Sequence, residues 1–218
     1  MPHVRAPLVT HDSSLLDHMV VGAESAAAST AIRAASVLFV TALTAAAAQV
    51  AFHLPFTPVP FTLQPMLVVV GAAALGARLG AISQLLYLGL GVLGFQAFAP
   101  SAILPQGLGR LLGPTGGFLL AYPLAAFVAG WFAERGFDRR YLTSVLAMLA
   151  GQAVFFIGGV SWLAWLMPAG PIGFEAALNA AFYPFVLADV VKVFCAAAVL
   201  PALWGFVGSA RRPKIRKY

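Results

Sequence analysis

The chain has 218 residues, of which 61% are hydrophobic and only 9% charged, with a mean hydropathy of +0.91. Soluble domains carry charge on about a quarter of their residues, so this composition excludes one and describes an integral membrane protein. The net charge of +6 does not imply a nucleic-acid partner, because the cations fall between apolar runs where they set topology, and the single Cys195 excludes an internal disulfide and a thiolate metal cluster.

Residues 1–28 hold three acidic residues and His3, His11 and His18, with no apolar core of signal-peptide length, so they are expected to form a cytoplasmic tail. Residues 13–21 suit either a short helix on the membrane surface or a disordered segment. The histidines lack ligand spacing, and no metal is expected. The domain proper is expected over 29–210, a six-helix membrane substrate-binding domain, followed by a basic cytoplasmic tail at 211–218.

The first span is expected over 34–52, uncharged and alanine-rich, with Ala42 and Ala46 offering a small-residue face to another helix or to a partner subunit. Residues 52–64 contain three prolines and three phenylalanines, which forbid a regular helix and predict a loop folded back as a cap over the bundle. A short second span over 65–77, a turn at 78–80 and a third span over 79–98 form a hairpin. The loop that follows, 99–117, delivers Arg110 and the run Gly113-Pro-Thr-Gly-Gly117 to the mouth of a fourth span over 116–133. Amides at a helix start favour anions, which makes Gly113, Thr115, Gly116 and Gly117 candidates beside Arg110.

Three arginines in Glu134-Arg-Gly-Phe-Asp-Arg-Arg140 mark a cytoplasmic loop before a fifth span over 141–167. The sixth span, 181–207, contains Asp189 and Lys192. Positions three apart share a helix face, so the two can enter one cavity and offset each other's charge. A charge near the bilayer centre costs about 2.5–3.5 kcal/mol, so such a pair either locks helix register or meets a ligand. With both termini inside, eleven of the thirteen lysines and arginines fall on the cytoplasmic side, which predicts six transmembrane helices, N-in and C-in. Arg110 and Lys192 are the two that topology does not explain. With the Gly113–Gly117 turn and Asp189, they are expected to converge on a pocket open to the outside.

An intramembrane protease is not supported: the aspartyl type needs two membrane aspartates and one is present, and no serine sits in a Gly-x-Ser-x-Gly context. No enzyme activity and no cofactor are expected.

In order along the chain, Pro60-Phe-Thr-Leu-Gln-Pro65, Leu75-Gly-Ala-Arg-Leu-Gly80, Tyr87-Leu-Gly-Leu-Gly-Val-Leu-Gly94, Gly113-Pro-Thr-Gly-Gly-Phe118 and Asp189-Val-Val-Lys192 resemble the BioY family. These are the biotin-binding S components of energy-coupling factor (ECF) transporters. The resemblance implies an all-α S-component-like bundle in the cytoplasmic (inner) membrane, which captures biotin outside and hands it inward. It implies a transmembrane coupling subunit and cytoplasmic ATPases as partners, with membrane lipid around the bundle and homo-oligomers an open further association. Another vitamin or small carboxylate is the alternative cargo. It places substrate contacts on Arg110, Asp189 and Lys192, and the turn residues with Tyr87 and Gln96 complete the candidate set. Where relatives show Gly-Leu-Pro-Val-Phe, this chain has Gly94-Phe-Gln-Ala-Phe98. Ala42 and Ala46 are the expected docking face.

Overall fold

The structure, a computed structural model, describes residues 13–21, 23, 25–101 and 106–210. The expectations for 1–12, with His3 and His11, and for the basic tail at 211–218 lie outside the described residues. Helix α1 (Leu15–Val20) opens on a capping box, in which the Ser14 hydroxyl accepts from the Asp17 amide and the Asp17 carboxylate accepts from the Ser14 amide. Its apolar side packs on Val37, Val40 and Leu75, so this short helix rests on protein where a membrane surface or disorder was expected. The Arg33 guanidinium donates to Asp17 at 2.7 Å and ties α1 to α2 (Ala26–Gln49). Burial alone would raise the Asp17 carboxyl, but hydrogen bonds from Ser14 and Arg33 outweigh it and hold the group below its ordinary value.

The proline-rich segment closes on itself through a two-residue antiparallel ladder, β1 (Ala51–Phe52) against β2 (Phe61–Thr62). Phe61 turns inward, while Phe52 and Phe56 stay exposed, so only part of the expected burial of the cap is met. Pro65 then sits in the first turn of α3 (Gln64–Leu75), where its missing N–H costs no helical hydrogen bond. The turn into α4 (Ala77–Val92) is made by Gly76 alone, at φ 88°. It falls two residues before the expected position, because glycine takes that φ without strain. The Glu134 carboxylate accepts the Ala77 amide at 2.8 Å and secures the start of α4. α4 stops at Val92 where residue 98 was expected, since Gly94 at φ 92° turns the chain.

A short α5 (Leu108–Leu112) precedes α6 (Gly116–Glu134), and α7 (Tyr141–Ser161) widens into a π turn at Trp162–Leu166. The expected sixth span is divided. α8 (Phe174–Ala181) bends at Phe182 into α9 (Tyr183–Ala197), and α10 (Val199–Ala210) follows after Ala198. α6 is the hub, with Ala125, Ala126, Ala129 and Ala133 fully buried against α3, α4 and α7. Small residues allow the approach: a Cβ on Gly130 would stand 2.5 Å from the Ala77 nitrogen.

The fold is predominantly helical. Four helical stretches are long and apolar enough to cross a membrane: Ala26–Gln49, Gly116–Glu134, Tyr141–Leu166 and Tyr183–Phe206. α3 and α4, at 12 and 16 residues, are shorter than the expected spans, because Gly76 ends α3 and Gly94 follows the end of α4. Arg33 lies two turns inside α2, whereas Arg78, Arg135, Arg139 and Arg140 lie in the first turn of α4 or in the 135–140 turn. The contact of Glu134 with Ala77 places the last four of these at one end of the bundle.

Candidate functional site

Asp189 and Lys192 lie one turn apart on α9, which Pro184 starts in its first turn. The Lys192 ammonium donates to Asp189 Oδ1 at 2.6 Å and to the Thr62 carbonyl at 2.8 Å, and it stands 3.6 Å from the centroid of the Phe61 ring. The other carboxylate oxygen, Asp189 Oδ2, accepts from Gln152 Nε2 on α7 at 2.8 Å. Asp189 is 3% exposed, so both its oxygens are satisfied by protein in a place with little access to water. Each carboxylate oxygen has two lone pairs, so a donor arriving from the cavity can still be accepted.

The pair forms one wall of a cavity with about 570 Å³ of empty space, its open mouth included. Arg110 and Thr115 line the same cavity, and Val59, Pro60 and Thr62 of the cap bound it. Arg110 is 2% exposed and donates from Nη1 to the Ala99 carbonyl at 2.9 Å, which holds the guanidinium beside the loop after α4. The Thr115 hydroxyl is buried with no hydrogen-bond partner among the described residues. Such a group costs desolvation that a ligand atom could return.

The remaining wall is aromatic. Phe118 and Tyr122 of α6 meet Phe155 at ring-centroid distances of 4.8 and 5.6 Å, Phe155 meets Phe156 at 5.3 Å, and Phe185 stacks on Phe61 at 6.3 Å. The cavity therefore joins a broad apolar surface to a few convergent polar groups, the usual make-up of a small-molecule site.

Of the residues expected from sequence, Arg110, Thr115, Asp189 and Lys192 come together on this cavity. Gly113, Gly116 and Gly117 do not line it. The Gly113 carbonyl accepts from Trp162 Nε1 at 2.9 Å, and a Cβ on Gly116 or Gly117 would collide with Leu111 or Trp162. These glycines let α5, α6 and α7 approach one another. Tyr87 is buried behind the wall, where its hydroxyl accepts from Gln64 Nε2 at 2.6 Å. Gln96 does not line the cavity. It is exposed, because the turn at Gly94 swings it outward, and its carbonyl accepts from Gln49. Ala42 and Ala46 are exposed on one side of α2.

Sequence reasoning missed Thr62, Gln64, Gln152 and Tyr122. Gln152 had a usable signal, an isolated polar residue in a 21-residue apolar helix, the same kind of signal that marks Asp189. The aromatic residues had none, since rings at helical spacing also describe ordinary packing.

The BioY family model matches residues 21–209. The chain is 39% identical over 168 residues to the probable biotin transporter BioY of Pyrococcus horikoshii, a match covering 77% of this chain and 93% of that one. It is 33% identical over 146 residues to the biotin transporter BioY of Thermotoga maritima, covering 67% of this chain and 81% of the relative. A crystal structure of the S-component for biotin from an ECF-type ABC transporter matches with a TM-score of 0.70 at 22% identity, over 81% of this chain and 92% of that chain. At that identity the likeness establishes the fold.

Because the Thr115 hydroxyl has no protein partner, Thr115→Val should leave the melting temperature of the purified protein unchanged or raise it by about 2–4 °C, the shift expected for roughly 1 kcal/mol in a chain of this size. A fall of that size in a thermal unfolding assay would show that the hydroxyl already stabilises the fold.

Proposed function

The chain belongs to the BioY family, and from that premise we propose that it is a membrane-embedded subunit that binds biotin from the outside and delivers it inward within an ATP-driven uptake system. The observation that carries this reading is the convergence of Asp189, Lys192, Arg110 and Thr115 on one aromatic-walled cavity. Biotin's ureido ring offers two N–H donors and a carbonyl, which suit the Asp189 carboxylate and the Lys192 ammonium. Its carboxylate suits the Arg110 guanidinium and the Thr115 hydroxyl. The fused rings and aliphatic chain between them suit Phe118, Tyr122, Phe155 and Phe156. No step requires an enzyme's nucleophile or general base.

The energy must come from elsewhere, because the sequence contains no Gly-x4-Gly-Lys-Ser/Thr phosphate loop. An ECF coupling subunit and cytoplasmic ATPases are the partners this reading requires. The exposed side of α2, with Ala42 and Ala46 flanked by Leu38 and Phe39, is the docking face we assign to the coupling subunit. Small residues there allow close approach of a partner helix.

The same reading places the protein in the cytoplasmic membrane with six spans, N-in and C-in. α3 and α4 are about 18 and 24 Å long at 1.5 Å per residue, less than a hydrocarbon core of about 30 Å. The cap and the segment after α4 complete that depth, where surrounding protein shields irregular backbone. The arginines near Gly76 and in the 135–140 turn support a cytoplasmic assignment for the end opposite the cavity.

Asp189→Asn and Lys192→Met should each weaken biotin binding in detergent at least tenfold, measured by calorimetry on protein that elutes as a single folded species. Near-wild-type affinity in both would reject the site, and native mass spectrometry showing a different retained vitamin would reject the cargo. In a variant with Cys195→Ala, a cysteine at Gln106 should react with a membrane-impermeant maleimide added to intact cells, and one at Arg140 should react only after permeabilisation. The reverse pattern would invert the orientation.

A further inference from the structure

We infer that Gln152 is the positioning residue of the site: its amide holds the Asp189 carboxylate correctly turned for the guest. This rests on the assignment of Asp189 as a biotin contact. Gln152 itself is 5% exposed and does not line the cavity, so it acts from behind. Its Nε2 donates to Asp189 Oδ2 at 2.8 Å while Lys192 donates to Oδ1 at 2.6 Å. The two donors come from different helices, α7 and α9, and grip one oxygen each, so the plane of the carboxylate is fixed by α7 as well as by its own helix.

Fixing that plane decides where the remaining lone pairs point. A carboxylate held only by Lys192, one turn away on the same helix, could rotate about its χ2 torsion, which is broad for aspartate. With Gln152 in place, rotation breaks one of two charge-assisted hydrogen bonds. α7 can serve in this way because the adjacent Gly151 lets it pack closely on α3 and α6: a Cβ there would stand 2.8 Å from a Val69 methyl and 3.1 Å from the Ala125 carbonyl oxygen. The ionisable side chains that share the cavity with Asp189 are Lys192, Arg110 and Tyr122. None of them is a second carboxylate, and among the described residues Asp189 accepts from the Lys192 ammonium and the neutral Gln152 amide.

Two substitutions separate positioning from packing. Gln152→Leu removes the donor at nearly the same volume and should weaken biotin binding at least tenfold at every pH. Gln152→Glu keeps the shape and adds a group whose donor ability depends on protonation. When that carboxyl is protonated it donates to Asp189 as the amide does; when ionised it repels Asp189. Biotin affinity of Gln152→Glu should therefore approach that of the natural chain at pH 5 and fall at least tenfold by pH 9, measured by calorimetry against the natural chain over the same range. A pH profile parallel to that of the natural chain, or Gln152→Leu binding within threefold, would overturn the inference. If Gln152→Leu does not yield folded protein, the Gln152→Glu profile decides alone. Asp189→Asn measured alongside distinguishes the two failures: loss of binding there with no effect at Gln152 removes the positioning role and leaves the site, whereas no loss in Asp189→Asn removes the site itself.

Discussion

A carboxylate and an ammonium inside an apolar bundle must find their hydrogen-bond partners within the protein, and this requirement organises the structure around α9. Breaking such a buried pair by removing one member costs about 3–5 kcal/mol, because the other is left without compensation. Lys192 meets the requirement with Asp189, the Thr62 carbonyl and the face of Phe61; Asp189 meets it with Lys192 and Gln152. Three separate stretches of chain, the cap, α7 and α9, are therefore fixed relative to one another by one pair of charges. The cap has a second tie, from the Thr57 hydroxyl to the Ala180 carbonyl, so it meets the α8–α9 segment at both ends.

The glycines and alanines of the other helices make room for this arrangement. α6 approaches the α3–α4 turn through Gly130 and approaches α7 through Gly117, opposite Gly158 and Trp162. That brings Phe118 and Tyr122 beside Phe155 and Phe156, and the aromatic wall follows from the close packing. Aromatic rings in offset contact each add about 0.5–1.5 kcal/mol beyond their buried area, so the wall is stiff as well as apolar. The cavity thus has a rigid apolar surface on one side and charged groups with fixed directions on the other.

Much of this was legible in the sequence, and the physical reason is that charge is rare in apolar runs. Arg110 and Lys192 stood out because no topological signal explained them, Asp189 because it is an acid inside an apolar span, and the structure brings all three to one cavity. Helix ends were less legible. Gly76 and Gly76-like turns are indistinguishable from packing glycines until φ is known, and so the α3–α4 turn fell two residues early and α4 ended at Val92. The Gly113–Gly117 run was read as an anion cradle, yet its glycines answer to the bulk of Trp162 and the nearness of Leu111. Gln96 was drawn in by its place in a motif, while the turn at Gly94 faces it outward. Gln152 and Gln64 act through partners distant in sequence, and only the fold reveals which polar atoms they face.

The most direct measurement of the central claim is a crystal structure of the protein with biotin bound. The account predicts the ureido ring within about 3 Å of the Asp189 carboxylate and the Lys192 ammonium, with the biotin carboxylate toward Arg110 and Thr115. Biotin seated elsewhere, with the Asp189–Lys192–Thr62 contacts intact and no ligand atom touching either charged group, would contradict it.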